Sequence, residues 1–346
     1  MCNIAGYVGE RRAAPILIEM IRRQEGLAGG YYTGLATIHE GKIYYAKLTG
    51  DADRLVALTE AADLPGNIGI IHSRSKSGGG DAWAHPFVSR REGEIELAYV
   101  ANGSGGCFAV NNESYVSLAD SLQADGYNME SRVNETRRGY PTLSDGTTAH
   151  MSDVMCQLIM REYDKIISGP QAMEAAFCQM PNEIVGLALS IEEPEYIIWA
   201  RINMPMSVAF CDHGAYLATY PGAIPADAGE HTLLPACSSG YITAHGYGAD
   251  AFPTPPCRVA ETDARTVAAA YEVICAELSA GERTMKQLKQ AIKPCFDAAD
   301  CDGSAALAYE ILYALQKEGR LNVESRRVPG AAEGIDAPKF YMTVRG

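Results

Sequence analysis

No apolar run in this 346-residue sequence reaches the roughly 18 residues that a membrane-spanning helix needs. The first residues, MCNIAGYVGERRAAP, also lack the ordered charged, apolar and cleavage regions of a secretory signal peptide. We therefore expect a cytoplasmic protein that does not bind a membrane.

Positive charge is scarce as well, because 29 Lys and Arg stand against 43 Asp and Glu and leave a net charge of -14. An acidic surface repels phosphate backbones, so we expect no nucleic-acid partner. The ten cysteines include no CxxC pair and no zinc-ligand spacing. The sequence therefore predicts neither a metal nor another cofactor.

Apolar residues are plentiful, at 47% of a chain that is longer than most single hydrophobic cores. Up to Pro256, short apolar runs alternate with turn residues and a few stretches of helical spacing, which predicts an α+β fold with largely antiparallel sheets. The predicted strands before Pro256 cover residues 3–8, 34–38, 42–48, 68–72, 95–101, 185–191, 196–201, 207–211, 215–219 and 241–245. The predicted helices there cover residues 14–25, 114–125, 152–167 and 170–178.

A proline-rich run at residues 252–256 marks a change of pattern. We place a domain boundary there, with one domain over residues 1–256 and a second over residues 262–346. The second domain is predicted to contain helices at 263–280, 284–293 and 304–317, followed by strands at 321–328 and 340–344. This order resembles a winged helix.

Cys2 is the candidate nucleophile. A thiol attacks an amide well near neutral pH only if it is partly ionised or has a base within hydrogen-bond reach. Removal of Met1 gives Cys2 a free α-amine, and the ordinary pKa of such an amine, about 7.7, suits proton transfer at pH 7.

Three later segments carry groups that suit amide chemistry. IHSRSKSG ends a predicted strand with Arg74, which can hold a carboxylate through two parallel hydrogen bonds. AHPF follows and contains His85, and the strand LAYVA then leads into Asn102 and Gly103. The side-chain amide of Asn102 and the backbone N–H of Gly103 can stabilise a developing oxyanion.

The ordered set MCNIAGYVG, IHSRSKSG, AHPF and ANG resembles the class II glutamine amidotransferases. It is nearest to the glutaminase domain of the glutamine:fructose-6-phosphate aminotransferases, whose patterns are Cys-Gly-Ile-x-Gly, His-Thr-Arg-Trp-Ala-Thr, Asn-Ala-His-Pro and His-Asn-Gly. The resemblance covers roughly residues 2–250. It implies a four-layer αββα N-terminal-nucleophile (Ntn) hydrolase sandwich with Cys2 on an inner strand.

The resemblance also implies roles for individual residues. Cys2 would attack the side-chain amide of glutamine, Asn102 and Gly103 would stabilise the oxyanion, and a thioester would form as ammonia leaves. Arg74 would hold the α-carboxylate of the substrate. Ser77 stands where the family's loop has a threonine, and His85 would orient that loop.

The sequence departs from the family where the ammonium group of the substrate is recognised. The family has an Asp-Ser/Thr-Glu-Val segment there, whereas this chain has Met151 in place of the Asp. An insertion at residues 130–150 carries Asp145, which either supplies the missing carboxylate from another direction or is a solvated surface group.

The C-terminal residues do not suit DNA binding, because 11 Lys and Arg oppose 12 Asp and Glu from Thr262 onward. The third predicted helix presents Ala and Leu instead of base-reading side chains. We therefore expect this domain to serve dimerisation or docking, and the protein to be a homo-oligomer.

Three functions remain open. The first is a glutaminase subunit that passes ammonia to a synthase supplied in trans, since about 90 further residues are too few for an acceptor domain. The second, motivated by Met151, is an Ntn amidase that acts on another amide. The third is a catalytically silent protein that binds an amino acid and signals through its C-terminal domain.

Overall fold

The computed structural model describes residues 2–104, 112–137, 139–165, 168–260, 262–296 and 301–345. Its strands, in chain order, are β1 (Asn3–Gly9), β2 (Tyr32–His39), β3 (Lys42–Thr49), β4 (Ile68–Arg74), β5 (Phe87–Arg91), β6 (Glu94–Ser104), β7 (Glu183–Ser190), β8 (Ile197–Arg201), β9 (Ser207–Cys211), β10 (Gly214–Ala218), β11 (Thr232–Leu233), β12 (Ser238–Ile242), β13 (Asp250–Ala251), β14 (Leu321–Pro329) and β15 (Asp336–Val344).

The α-helices are α1 (Ala13–Arg22), α2 (Glu25–Ala28), α3 (Ala52–Leu58), α4 (Asn112–Ala124), α5 (Met151–Tyr163), α6 (Gly169–Gln179), α7 (Ala264–Ala280), α8 (Met285–Ile292) and α9 (Ser304–Lys317). Among the described residues, none of the helices has the length and apolar character needed to cross a membrane.

Two antiparallel sheets form the main body. The first has the order β11-β9-β10-β1-β4-β2-β3, and the second has the order β13-β12-β8-β7-β6-β5. β1 lies inside the first sheet, where it pairs with β10 on one side and with β4 on the other. The predicted α+β fold with antiparallel sheets is confirmed.

Helices cover the outer faces of both sheets. Leu17 of α1 and Leu55 of α3 pack in one core with the first sheet, and Met155 of α5 and Phe177 of α6 pack in another with the second. A third core, which contains Leu187, fills the space between the sheets. The layers therefore run helices, sheet, sheet, helices.

β1 shows why its sequence suits an inner strand. Side chains alternate between the two faces of a strand. Ile4 and Val8 face the core between the sheets, whereas Ala5 and Tyr7 face the helical layer. Because both faces are covered, the strand is apolar along most of its length instead of alternating with polar residues.

The C-terminal residues form α7, α8 and α9 followed by the hairpin β14–β15, in the predicted order of element types. Their apolar side chains pack in a fourth core, to which Leu27 and Tyr220 of the main body contribute. The hairpin also reaches the main body through Arg327, which donates a hydrogen bond to the carboxylate of Asp51. This unit is therefore packed against the two-sheet body.

The structure differs from the prediction in several elements. The strands β5, β11 and β13 and the helices α2 and α3 were not expected, and the strand predicted at 241–245 lies at Ser238–Ile242. Only Ala52 and Leu55 of α3 are buried, which is too few to give a helical period. Ser238 and Ser239 have turn-like composition but are buried in pairing with β8.

Gly34 of β2 lies where the first sheet approaches the segment that carries His85. A methyl group at Gly34 would overlap the backbone oxygen of His85 and crowd the side chain of Lys47. We expect Gly34→Ala to lower the free energy of unfolding by about 2 kcal/mol or more, because backbone atoms must move to relieve the overlap. Urea unfolding measures this change.

Gly248→Ala is the matched control, because a methyl group there meets no atom within 4 Å. We expect it to change the free energy of unfolding by no more than about 1 kcal/mol. Equal losses in the two variants would contradict the assigned overlap.

Candidate active site

A cavity of about 290 Å³ opens beside Cys2 at the start of β1. Of the site residues predicted from the sequence, five line it. They are Cys2, Arg74, Ser77, His85 and Gly103. The structure therefore brings together groups that lie up to a hundred residues apart in the chain.

Asn102 joins the two sheets at this point. The backbone nitrogen of Cys2 donates a hydrogen bond of 2.9 Å to Oδ1 of Asn102, which lies on β6 in the second sheet. Asn102 is fully buried, and its Nδ2 has no hydrogen-bond partner among the described residues. A buried donor without a partner is rare. Asn102 therefore has a donor group available next to the thiol.

Arg74 ends β4 and is almost fully buried. It donates hydrogen bonds to the backbone oxygens of Trp83 and Gly78, at 2.6 and 3.0 Å, and to the hydroxyl of Ser77. Its guanidinium also lies over the ring of Tyr32. Arg74 thus holds the loop that follows β4 in place through these hydrogen bonds. The sequence did not predict this role. Because a guanidinium has five N–H donors, these bonds leave capacity for a ligand.

The pKa of the Cys2 thiol is lower than that of an ordinary cysteine. Burial alone raises its pKa, but the nearby His72, the charge of the N-terminal amine and a hydrogen bond from the backbone of Ser75 together outweigh burial, and the pKa is lowered to about 6. The thiolate is the reactive form of cysteine. Cys2 is therefore largely thiolate at pH 7.

His72 is buried and hydrogen-bonded, with Nε2 at 3.0 Å from the backbone oxygen of Ala101. Its ring stacks on that of His85 at 3.8 Å, and the ring of His150 lies 5.4 Å from that of His85. Burial lowers the pKa of both His85 and His150 well below the ordinary value, so both are neutral at pH 7. Uncharged rings therefore form part of the cavity wall.

No family model matches the chain. Similar proteins are known, however. The chain is 31% identical over 226 residues to glutamine–fructose-6-phosphate aminotransferase [isomerizing] of Bacteroides thetaiotaomicron, covering 63% of this chain and 32% of that protein. It is 27% identical over 244 residues to the protein of the same name from Pyrococcus horikoshii, covering 68% and 36%. The resemblance to class II glutamine amidotransferases is confirmed.

The chain spans about a third of the length of these curated relatives. Among solved structures, glutamine phosphoribosylpyrophosphate (PRPP) amidotransferase from B. subtilis, complexed with ADP and GMP, is similar with a TM-score of 0.60. The match is 15% identical in sequence and covers 93% of this chain and 66% of that chain. At this identity the match shows that the fold is shared with an amidotransferase.

Two of the predicted site residues do not line the cavity. Asn102 lies directly beside it, bonded to Cys2, whereas Asp145 lies away from it. Asp145 is exposed, and its carboxylate bonds to Arg132 at 3.0 Å and to the backbone of Thr147 at 2.9 Å. It does not line the cavity. The prediction that Asp145 binds substrate is therefore corrected, because its carboxylate is paired on the surface of the insertion.

The insertion contributes to the site in a different way. Tyr140 and His150 line the cavity, and Met151 follows as the first residue of α5. No carboxylate lines the cavity within the described part of the chain. Sequence reasoning missed Tyr140 and gave His150 no role in the site, because the relatives' motifs do not include this insertion.

A separate group of potential metal ligands lies at the β9–β10 turn. Cys211, His213 and Asp227 place their ligand atoms within 4.8 Å of one another. His213 already bonds to Asp227 at 2.9 Å and to the hydroxyl of Tyr7 at 3.2 Å, and Arg11 lies 3.6 Å from Asp227. These contacts satisfy the polar groups of the cluster without an ion.

The ionisation of Cys2 predicts an unusual pH dependence. We expect its alkylation by iodoacetamide to rise through about pH 6 and to level off near pH 7, because the thiolate reacts. Cys178 is the internal control, since partial burial raises the pKa of its thiol above the ordinary value and its alkylation should keep rising in alkaline solution. Peptide mass spectrometry separates the two rates.

His72→Gln tests the cause of this shift. Loss of the imidazole should move the midpoint of Cys2 alkylation upward by about one pH unit or more, while that of Cys178 stays in place. An unchanged midpoint would show that His72 does not control the thiol.

Proposed function

We propose that the chain is the glutaminase part of an amidotransferase, in which Cys2 hydrolyses the side-chain amide of glutamine to glutamate and ammonia. The observation that carries the proposal is the pairing of an ionised Cys2 thiol with the unpartnered Nδ2 of Asn102. The similarity to glutamine–fructose-6-phosphate aminotransferases supports glutamine as the substrate.

The first half of the reaction forms a thioester. The Cys2 thiolate attacks the amide carbon, and the carbonyl oxygen becomes an oxyanion that accepts hydrogen bonds from Nδ2 of Asn102 and the backbone N–H of Gly103. The C–N bond then breaks as the departing nitrogen takes a proton, and ammonia leaves.

The proton comes from the α-amine of Cys2. Once Met1 is removed, the nitrogen that now bonds to Oδ1 of Asn102 at 2.9 Å becomes this amine. Its hydrogen bond holds it beside the thiol, and an ordinary pKa of about 7.7 lets it give and take protons at pH 7. In the second half, water loses a proton to the amine and attacks the thioester carbon. The C–S bond then breaks, which releases glutamate and restores the thiolate beside the protonated amine.

Substrate binding in this proposal uses Arg74 for the α-carboxylate, with Ser77 and His85 holding the surrounding loop. The buried guanidinium has a planar, charged donor face that matches a carboxylate. Its bonds to Ser77 and Gly78 also fix its orientation before substrate arrives. A fixed cation pays little ordering entropy on binding.

The wider assembly is part of the same proposal. Residues 1–256 form the Ntn amidotransferase domain, and residues 262–346 form a winged-helix-like domain that serves dimerisation or docking. The passage of ammonia to a synthase supplied in trans is part of this proposal. A homo-oligomer, a cytoplasmic location and the lack of a nucleic-acid partner remain predictions.

Turnover of glutamine tests the first proposal. Protein lacking Met1 should release glutamate and ammonia in equal amounts, and Cys2→Ala should lower kcat by about a thousandfold or more because the nucleophile is lost. Cys178→Ala, at an exposed thiol, is the matched control and should keep full activity. Coupled assays of glutamate and ammonia measure both. Full turnover by Cys2→Ala would rule out a Cys2-dependent enzyme, and saturable binding of amino acid without turnover would favour the silent sensor.

A second candidate function, hydrolysis of a different carboxylate-bearing amide, is favoured by one observation. Met151 stands on the cavity wall, and no carboxylate lines the wall within the described residues. The α-ammonium of glutamine would lose water there without gaining an anionic partner, which is unfavourable. An amide whose α-nitrogen is uncharged avoids this penalty.

Met151→Asp separates the two candidates. A carboxylate at this position should raise kcat/KM for glutamine about tenfold and lower kcat/KM for N-acetylglutamine, because only glutamine carries the ammonium. The first turn of α5 tolerates an acid, and Met151→Asn is the neutral control of the same shape. The second candidate is ruled out if the wild type already has a higher kcat/KM for glutamine than for N-acetylglutamine and Met151→Asp leaves both values unchanged.

A further inference from the structure

The residue that follows the nucleophile is held by the C-terminal unit. Asn3 is fully buried, and its Nδ2 donates a hydrogen bond of 3.3 Å to the hydroxyl of Tyr309 on α9. Its Oδ1 accepts a hydrogen bond of 3.1 Å from the backbone nitrogen of Ala28. Tyr309 is fully buried as well. The side chain of Asn3 therefore bridges the C-terminal helix and the end of α2.

β1 needs such side-chain contacts at this end. Its ladder with β10 begins only at Ala5, which pairs with Ala218. Beyond that point the backbone of Ile4 bonds to Thr219 at 2.9 and 3.0 Å, and Asn3 keeps strand pairing only with Ser73 of β4. The pairing between β1 and β10 has ended at this point. The side-chain contacts of Asn3 therefore hold the start of β1 in place.

A second link joins the same strand end to the C-terminal core. Gln24 donates a hydrogen bond to the backbone oxygen of Ile4 at 3.1 Å and accepts one from the backbone nitrogen of Tyr220 at 3.1 Å. The ring of Tyr220 lies 5.8 Å from that of Tyr309. Tyr220 and Tyr309 both belong to the C-terminal core. The start of β1 is thus connected to that core at two consecutive residues.

We propose that Tyr309 is a positioning residue for the Cys2 reaction, acting through Asn3. Loss of its hydroxyl leaves the buried Nδ2 of Asn3 without an acceptor, which is unfavourable enough to shift the side chain. A shift of Asn3 moves Cys2 relative to Asn102, and small misplacements of reacting groups slow catalysis strongly. The effect of Tyr309 on catalysis rests on the proposed function. Its effect on the position of the Cys2 thiol does not depend on that function.

In this arrangement the C-terminal unit has a task beyond docking. α9 presents Tyr309 behind the nucleophile and Glu310 to His231 at 2.8 Å, so one helix fixes both the start of β1 and a loop of the main body.

Tyr309→Phe tests the inference, because it removes one hydroxyl and keeps the ring in the core. We expect kcat for the amide substrate to fall about tenfold with KM changed less than twofold, since the fault lies in alignment and not in binding. Alkylation of Cys2 by iodoacetamide at pH 7 should change at least threefold. Tyr313→Phe, one turn further along α9, is the matched control and should change neither quantity.

A double-mutant cycle with Asn3→Ala completes the test. If Tyr309 acts through Asn3, the double variant should lose no more than the more damaging single variant. Independent, multiplying losses would overturn the inference. So would wild-type kcat and alkylation in Tyr309→Phe, or a lower midpoint of thermal unfolding without either change, which would assign Tyr309 to packing alone.

The alkylation measurement keeps the inference separate from the proposed function. If neither glutamine nor another amide is hydrolysed by the wild type, the proposed function fails, yet Cys2 reactivity in Tyr309→Phe and in the double variant still decides whether Tyr309 positions the thiol.

Discussion

The hydrogen bond between the backbone nitrogen of Cys2 and Oδ1 of Asn102 is the contact on which the site depends. It joins the start of β1 in one sheet to β6 in the other, across the core that both sheets share. Because Oδ1 of Asn102 accepts this bond, Nδ2 of the same side chain points in another direction. That Nδ2 has no hydrogen-bond partner among the described residues. One side chain thereby fixes the nucleophile and leaves a donor free.

Burial and charge act in opposite directions around the thiol. Removal from water lowers the pKa of His85 and of His150, and it keeps both rings uncharged. Cys2 behaves differently, because His72, the charge of the N-terminal amine and the backbone of Ser75 together favour the thiolate more strongly than burial opposes it. The reacting sulfur of Cys2 is therefore the negatively charged atom of the cavity wall. The buried cation of Arg74 lies in the same wall.

The C-terminal unit shares its core with the main body through Leu27 and Tyr220, and it touches the strand of the nucleophile through Asn3. The contact gives a physical route by which events at the C-terminal surface can reach the thiol. It also makes residues 262–346 part of the support of the site.

The sequence by itself determined most of the element types, the antiparallel sheets and the residues of the motifs, because apolar periodicity and turn residues act locally. It could also name Cys2, Arg74 and Asn102, whose chemistry is visible in their type and order. It could not decide that Asp145 is paired on the surface, since the direction of an inserted loop depends on what it packs against.

Other features were decided only by the tertiary structure. The pKa of Cys2 depends on His72, the wall of the cavity includes Tyr140, and the support of Asn3 comes from Tyr309, more than three hundred residues away. These are long-range contacts whose strength depends on distance, direction and burial, and none of these quantities is encoded in the local pattern of residues.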